Sequence, residues 1–219
     1  MDTPIGKSDQ NSPGRRLALA ACGVVLVGAD LWLAAKRPER LFQAAGYAVF
    51  AALVLAAVYG WRRTALGAVV RPIQGWGYWV RLVLVVGGIV VAWTVAVCVA
   101  GAAAGLLPEM RRLEAQHVQP PLLIMCVYSP LVEELVYRWV FCLAFVPLLK
   151  PRATIVLGGV LFAALHLVYG SPAVDNAVAG FILVWAYLKS GSFLVPVGLH
   201  AAGNAFVFVL HPVFRYVVQ

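Results

Sequence analysis

Val80–Leu107 reads VRLVLVVGGIVVAWTVAVCVAGAAAGLL, and Arg81 is its sole charge. At about 1.5 Å of rise per residue, a helix of this length crosses ~30 Å of hydrocarbon with length left for tilt. Other apolar runs stand on either side, separated by basic or Pro/Gly-rich breaks. They divide the chain into seven expected spans: Leu17–Ala35, Leu41–Gly60, Val80–Leu107, Leu122–Leu149, Ala153–Tyr169, Val174–Leu188 and Phe193–Val218. No polar/apolar alternation marks a lipid-facing barrel, so every span reads as α-helix. The expected fold is all-α: a polytopic transmembrane helical bundle of about seven spans, within a range of about six to eight. The last three spans are short and closely spaced, and one of them could be re-entrant.

Composition agrees. Of 219 residues, 63% are hydrophobic and 12% charged, and the mean hydropathy is +0.88. A soluble domain carries about 45–50% apolar and about 25% charged residues. A soluble enzyme, a disordered chain and a fibrous protein are thereby excluded. The formal charge of +8 would suggest nucleic acid on a soluble protein. Here Lys and Arg gather at span ends, where they meet lipid headgroups and set topology, so nucleic acid is not an expected partner. Their distribution, with Arg15, Arg16, Arg62, Arg63, Lys150 and Arg152 on one side of a seven-span plan, favours a cytoplasmic N-terminus.

Residues 1–16 read as a disordered polar tail and 17–219 as a single transmembrane helical domain. The Leu19-Ala20-Ala21-Cys22 stretch has too short an apolar lead from Arg16 for a cleaved signal, so the first span is expected to stay. Cys22, Cys98, Cys126 and Cys142 all lie in apolar runs without a CxxC pair, and read as small apolar core residues. Trp76, Tyr78 and Trp79 read as an aromatic belt in the interfacial break before the third span. Asp175 and Asn176 read as the cap of the sixth.

An ionisable group inside a span costs at least about 2.5–3.5 kcal/mol near the helix centre and usually has work to do there. Asp30 stands alone in the first span. The others are grouped: Glu133, Glu134 and Arg138 in the fourth, His166 in the fifth, His200 and Asn204 in the seventh. Glu134 and Arg138 are four apart and share a helix face, so they can pair. Glu133 points about 100° away and meets a different neighbour. Such a division separates one carboxylate as a general base from another held in an ion pair. His166 lies four residues after Phe162, and Asn204 four after His200. Glu with two His can orient a water or bind a metal, and His with Asn on one face can donate to a developing oxyanion. This set suits peptide hydrolysis within a membrane.

In order, the chain shows EExxxR (Glu133 to Arg138), FxxxH (Phe162 to His166) and HxxxN (His200 to Asn204). It resembles the CAAX-protease and bacteriocin-processing (CPBP, or Abi) family of intramembrane endopeptidases, over about 121–211. The resemblance implies a glutamic-type protease in which Glu133 activates the hydrolytic water and His166 helps to hold it. His200 and Asn204 would form the oxyanion hole, with Glu134 and Arg138 in support and Phe162 as the motif partner of His166. It also implies a membrane-anchored protein or peptide substrate and residence in a bacterial plasma membrane. No cofactor is favoured. If a metal such as zinc takes part, Glu133, His166 and His200 are its candidate ligands, although the compact HExxH pair is lacking.

Two other readings compete. A non-catalytic scaffold or regulator would use the polar cluster as an internal lock. A membrane haem protein would use His166 and His200 as axial ligands, leaving the Glu-Glu-Arg group unexplained.

Overall fold

The computed structural model describes residues 71–105, 122–168 and 174–217, with scattered helical positions between 14 and 36. Five α-helices follow in order: α1 (Trp76–Ala103), α2 (Ser129–Glu134), α3 (Phe141–Val168), α4 (Val174–Ser190) and α5 (Leu194–Val217). Two π-helical segments, Ile124–Tyr128 and Leu135–Val140, flank α2. Among the described residues all regular structure is helical, as expected. Two stretches are long and apolar enough to cross a membrane, Trp76–Ala103 and Leu148–Val168, while Leu194–Phe208 is apolar but shorter. The described residues therefore do not reach a count of seven. Asp30, most of the first expected span and all of the second lie outside the described residues.

α1 differs from the expected third span at both ends. Gly75, with φ 74°, turns the chain directly into helix at Trp76, so the aromatic run is helical rather than a loop. Trp76 and Tyr78 are exposed, as belt residues are, but Trp79 is buried and its Nε1 donates to Gln74 Oε1 at 3.3 Å. At the other end Gly105 adopts φ 71°. Its N–H bonds Ala102 O at 3.1 Å and the Ala104 N–H bonds Ala100 O at 2.9 Å. A glycine in the left-handed region closes the helix before Pro108 can do so. The sides of α1 are apolar all round, with Leu84 and Trp93 each 70% exposed. In water such a surface would associate; hydrocarbon is its natural surrounding.

The expected boundary between the fourth and fifth spans falls inside α3. Pro151 lacks an N–H and disfavours helix at the residue before it. Lys150 accordingly leaves the helix, at φ 65° and ψ 162°. The buried Thr154 hydroxyl then donates to Lys150 O at 2.9 Å as the helix resumes.

The described chain forms two compact units. The first is Met1–Ile73 with Pro130–Gly198, and the second is Gln74–Ser129 with Leu199–Gln219. The first has a core of Val136, Tyr137, Phe141, Phe162, Val184 and Leu188, among others. There α3 meets α4 at glycine. A Cβ on Gly159 would stand 2.5 Å from the Phe181 ring, and one on Gly180 would stand 3.0 Å from Gly159 O. Glycine lets the two backbones approach where no hydrophobic effect drives helices together within lipid. Gly191, at φ 63°, makes the turn after α4, and Ser190 O accepts from the Ile73 N–H at 2.9 Å.

Two smaller expectations are corrected. α4 begins at Val174, so Asp175 and Asn176 stand in its first turn, not at its cap. Of the four cysteines, all free thiols, Cys142 is buried, Cys98 and Cys126 are half-buried and Cys22 is exposed. An apolar run in a membrane protein does not by itself mean a protein core, because lipid takes the place of packing partners.

Candidate functional site

The first unit holds Glu133, Glu134, Arg138, Phe162 and His166. Glu134 and Arg138 are both completely buried and pair through Oε2 and Nε at 2.9 Å. This is the contact their i,i+4 spacing allows. The guanidinium also lies over the Phe162 ring: its Cζ is 4.3 Å from the ring centre. Neither Nη atom of Arg138 makes a hydrogen bond among the described residues. Its charge is met by one carboxylate and one aromatic face, the arrangement that suits a weakly hydrated planar cation. Glu133, one step round the helix, is half-buried.

Phe162 also meets His166. Its ring centre is 4.5 Å from that of His166, with planes at 50°. Its carbonyl oxygen is 2.9 Å from His166 Nδ1. A carbonyl only accepts, so Nδ1 is the donor and carries the proton. In the neutral ring Nε2 is then the acceptor. Tyr137 meets Phe162 edge-on at 6.2 Å and limits how far its ring can move. Glu134, Arg138, Phe162 and His166 therefore form one continuous chain of contacts, buried as far as Phe162 and half-buried at His166.

His200 and Asn204 belong to the second unit, on one face of α5, and both are half-buried. Asn204 Nδ2 donates to the Met125 carbonyl at 2.7 Å. Met125 is a functional neighbour that the motif spacing does not announce. Its signal in the sequence is Pro130, five residues on. Among the described residues no group of three or more His, Cys, Asp and Glu is gathered as a metal site.

Residues 116–206 match the family described as Type II CAAX prenyl endopeptidase Rce1-like. That stretch is Rce1-like. No curated protein and no solved structure matches the chain. The Rce1-like segment contains all three motifs, from Glu133 to Asn204, and agrees with the CPBP resemblance. The match suggests a CAAX-type protease activity for that segment, and Trp76–Ala103 and Leu148–Val168 are long and apolar enough to cross a membrane.

Proposed function

We propose that the chain is an intramembrane endopeptidase of glutamic type that hydrolyses a peptide bond in a membrane-anchored protein or peptide. Glu133 takes a proton from water, and the nascent hydroxide attacks the scissile carbonyl carbon. His166 Nε2 accepts a hydrogen bond from that water and holds it in line. His200 and Asn204 donate to the oxyanion of the tetrahedral intermediate. Glu133 then returns its proton to the leaving amine as the C–N bond breaks. Glu134, Arg138 and Phe162 keep His166 in the required tautomer. On this reading the protein works in a bacterial plasma membrane with its N-terminus in the cytoplasm.

The observation that carries this reading is the bond from His166 Nδ1 to Phe162 O. In a neutral imidazole it leaves Nε2 as the acceptor. A haem or zinc ligand could also use Nε2, so the experiment must separate these. Purified protein in proteoliposomes is offered prenylated peptides with free C-termini, and cleavage is followed by mass spectrometry. Glu133→Gln is expected to lower kcat by about 10²–10⁴-fold, the usual contribution of a general base, with thermal unfolding unchanged. Full activity of Glu133→Gln overturns the reading. Activity that is lost with a strong chelator and restored by zinc replaces it with a metal mechanism.

A further inference from the structure

Met125 lies in the π-helical segment Ile124–Tyr128, and the N–H of Ser129 that follows bonds Ile124 O, five residues back. In an α-helix that N–H would have gone to Met125 O. In a continuing π-helix, Met125 O would accept from residue 130. Residue 130 is proline and has no N–H. Both helical donors of the Met125 carbonyl are thus removed, one by the wide turn and one by Pro130. A carbonyl left without a partner in an apolar setting costs free energy, so an outside donor is strongly favoured. That donor is the side-chain amide of Asn204, at 2.7 Å.

The same contact constrains Asn204. A carbonyl cannot donate, so the Nδ2 end of the amide must face Met125 and the amide cannot flip. One N–H is spent on Met125 O, and the other is held in a fixed direction. We propose that the Met125 carbonyl, released from its helix by Pro130, is a positioning group that orients Asn204 for oxyanion binding. Pro130 is accordingly a positioning residue acting through a backbone carbonyl. This deepens the reading given above, on which its catalytic consequence rests, and explains why a π-turn stands immediately before the EExxxR motif. π-bulges are rare and frequent at functional sites.

The test uses full-length protein in nanodiscs with ¹⁵N-labelled asparagine, of which the chain has three: Asn11, Asn176 and Asn204. Asn204→Asp identifies the Asn204 signal by removing it. In the wild type, one Asn204 amide proton is expected to exchange at least about tenfold more slowly than in a solvated asparagine side chain. Pro130→Ala supplies an N–H for Met125 O, and the slow proton is expected to lose its protection. A wild-type amide that exchanges freely, or protection that is unchanged in Pro130→Ala, overturns the proposal. The wild-type measurement decides even where the variant does not fold. With cleavable peptide, Pro130→Ala is expected to lower kcat about tenfold or more at nearly constant KM. Combining it with Asn204→Ala should add nothing to Asn204→Ala alone; independent, multiplying losses overturn the coupling. If Asn204→Ala cleaves normally while amide protection behaves as expected, the oxyanion role fails and the Met125 contact stands as a purely structural one.

Discussion

The guanidinium of Arg138 lies 4.3 Å from the centre of the Phe162 ring, and the His166 ring centre lies 4.5 Å from that of the same residue. Phe162 thus joins a buried ion pair to an imidazole. Replacing it with leucine keeps an apolar side chain but removes both aromatic contacts. Phe162→Leu is expected to lose about 2 kcal/mol, the scale of a desolvated cation–π contact. It should lower kcat more than it raises KM, because the His166 ring loses its stacking surface. Chemical denaturation in detergent and steady-state kinetics measure the two effects.

The Glu134–Arg138 pair is fully buried, and removing one partner strands the other. Arg138→Ala and Glu134→Ala are each expected to destabilise by about 3–5 kcal/mol. Because the two residues share one interaction, the double variant should cost less than the sum of the singles. Arg138→Lys keeps the charge but loses the guanidinium that lies over Phe162, and should fall between wild type and Arg138→Ala. Thermal unfolding of the four variants checks the order.

At the α3–α4 seam, a Cβ on Gly159 would meet the Phe181 ring at 2.5 Å. Gly159→Ala is expected to destabilise by about 1–3 kcal/mol through overpacking. Adding Phe181→Ala should recover part of that loss, since it removes the clashing ring. If Gly159→Ala unfolds at the wild-type temperature, the close approach of the helices is wrong.

Lys150 holds a positive φ with an extended ψ, a region that only glycine enters freely. Lys150→Gly is expected to relieve about 1 kcal/mol or more of that strain. Glycine also gains entropy in the unfolded chain, so the measured change should be small and positive. Loss of stability exceeding 1 kcal/mol would show that the lysine side chain matters more than its backbone.

Local rules made several features legible. The i,i+4 spacing of Glu134 and Arg138 is a property of any helix, and the pair forms. Pro151 announces the break at Lys150 because a missing N–H acts on its immediate neighbours. Gly105 stands among apolar residues, so the expected span runs four positions past the end of α1 at Ala103; isolated glycines are ambiguous until their φ is known. The burial of Trp79 depends on packing that no local pattern reports. The Met125 contact leaves only Pro130 as its trace in the sequence, for another reason. It is a backbone group exposed by a change of helix type, and side-chain motifs do not register such groups. The three motifs find the Rce1-like segment, while the distances within the Glu134–Arg138–Phe162–His166 chain of contacts come only from the fold.

The locality of the Glu134–Arg138 pair bears on how the protein enters its membrane. An intramembrane acid and an intramembrane base each oppose insertion by about 2.5–3.5 kcal/mol when borne alone at the centre of a span. These two lie one turn apart on one continuous helical run, so the charge is cancelled as soon as that turn winds. No second helix has to arrive first. The segment can be handed to the bilayer as a nearly neutral rod, and the order of events in biogenesis is thereby relaxed: neutralisation precedes assembly, and Phe162 adds its aromatic face only when α3 packs.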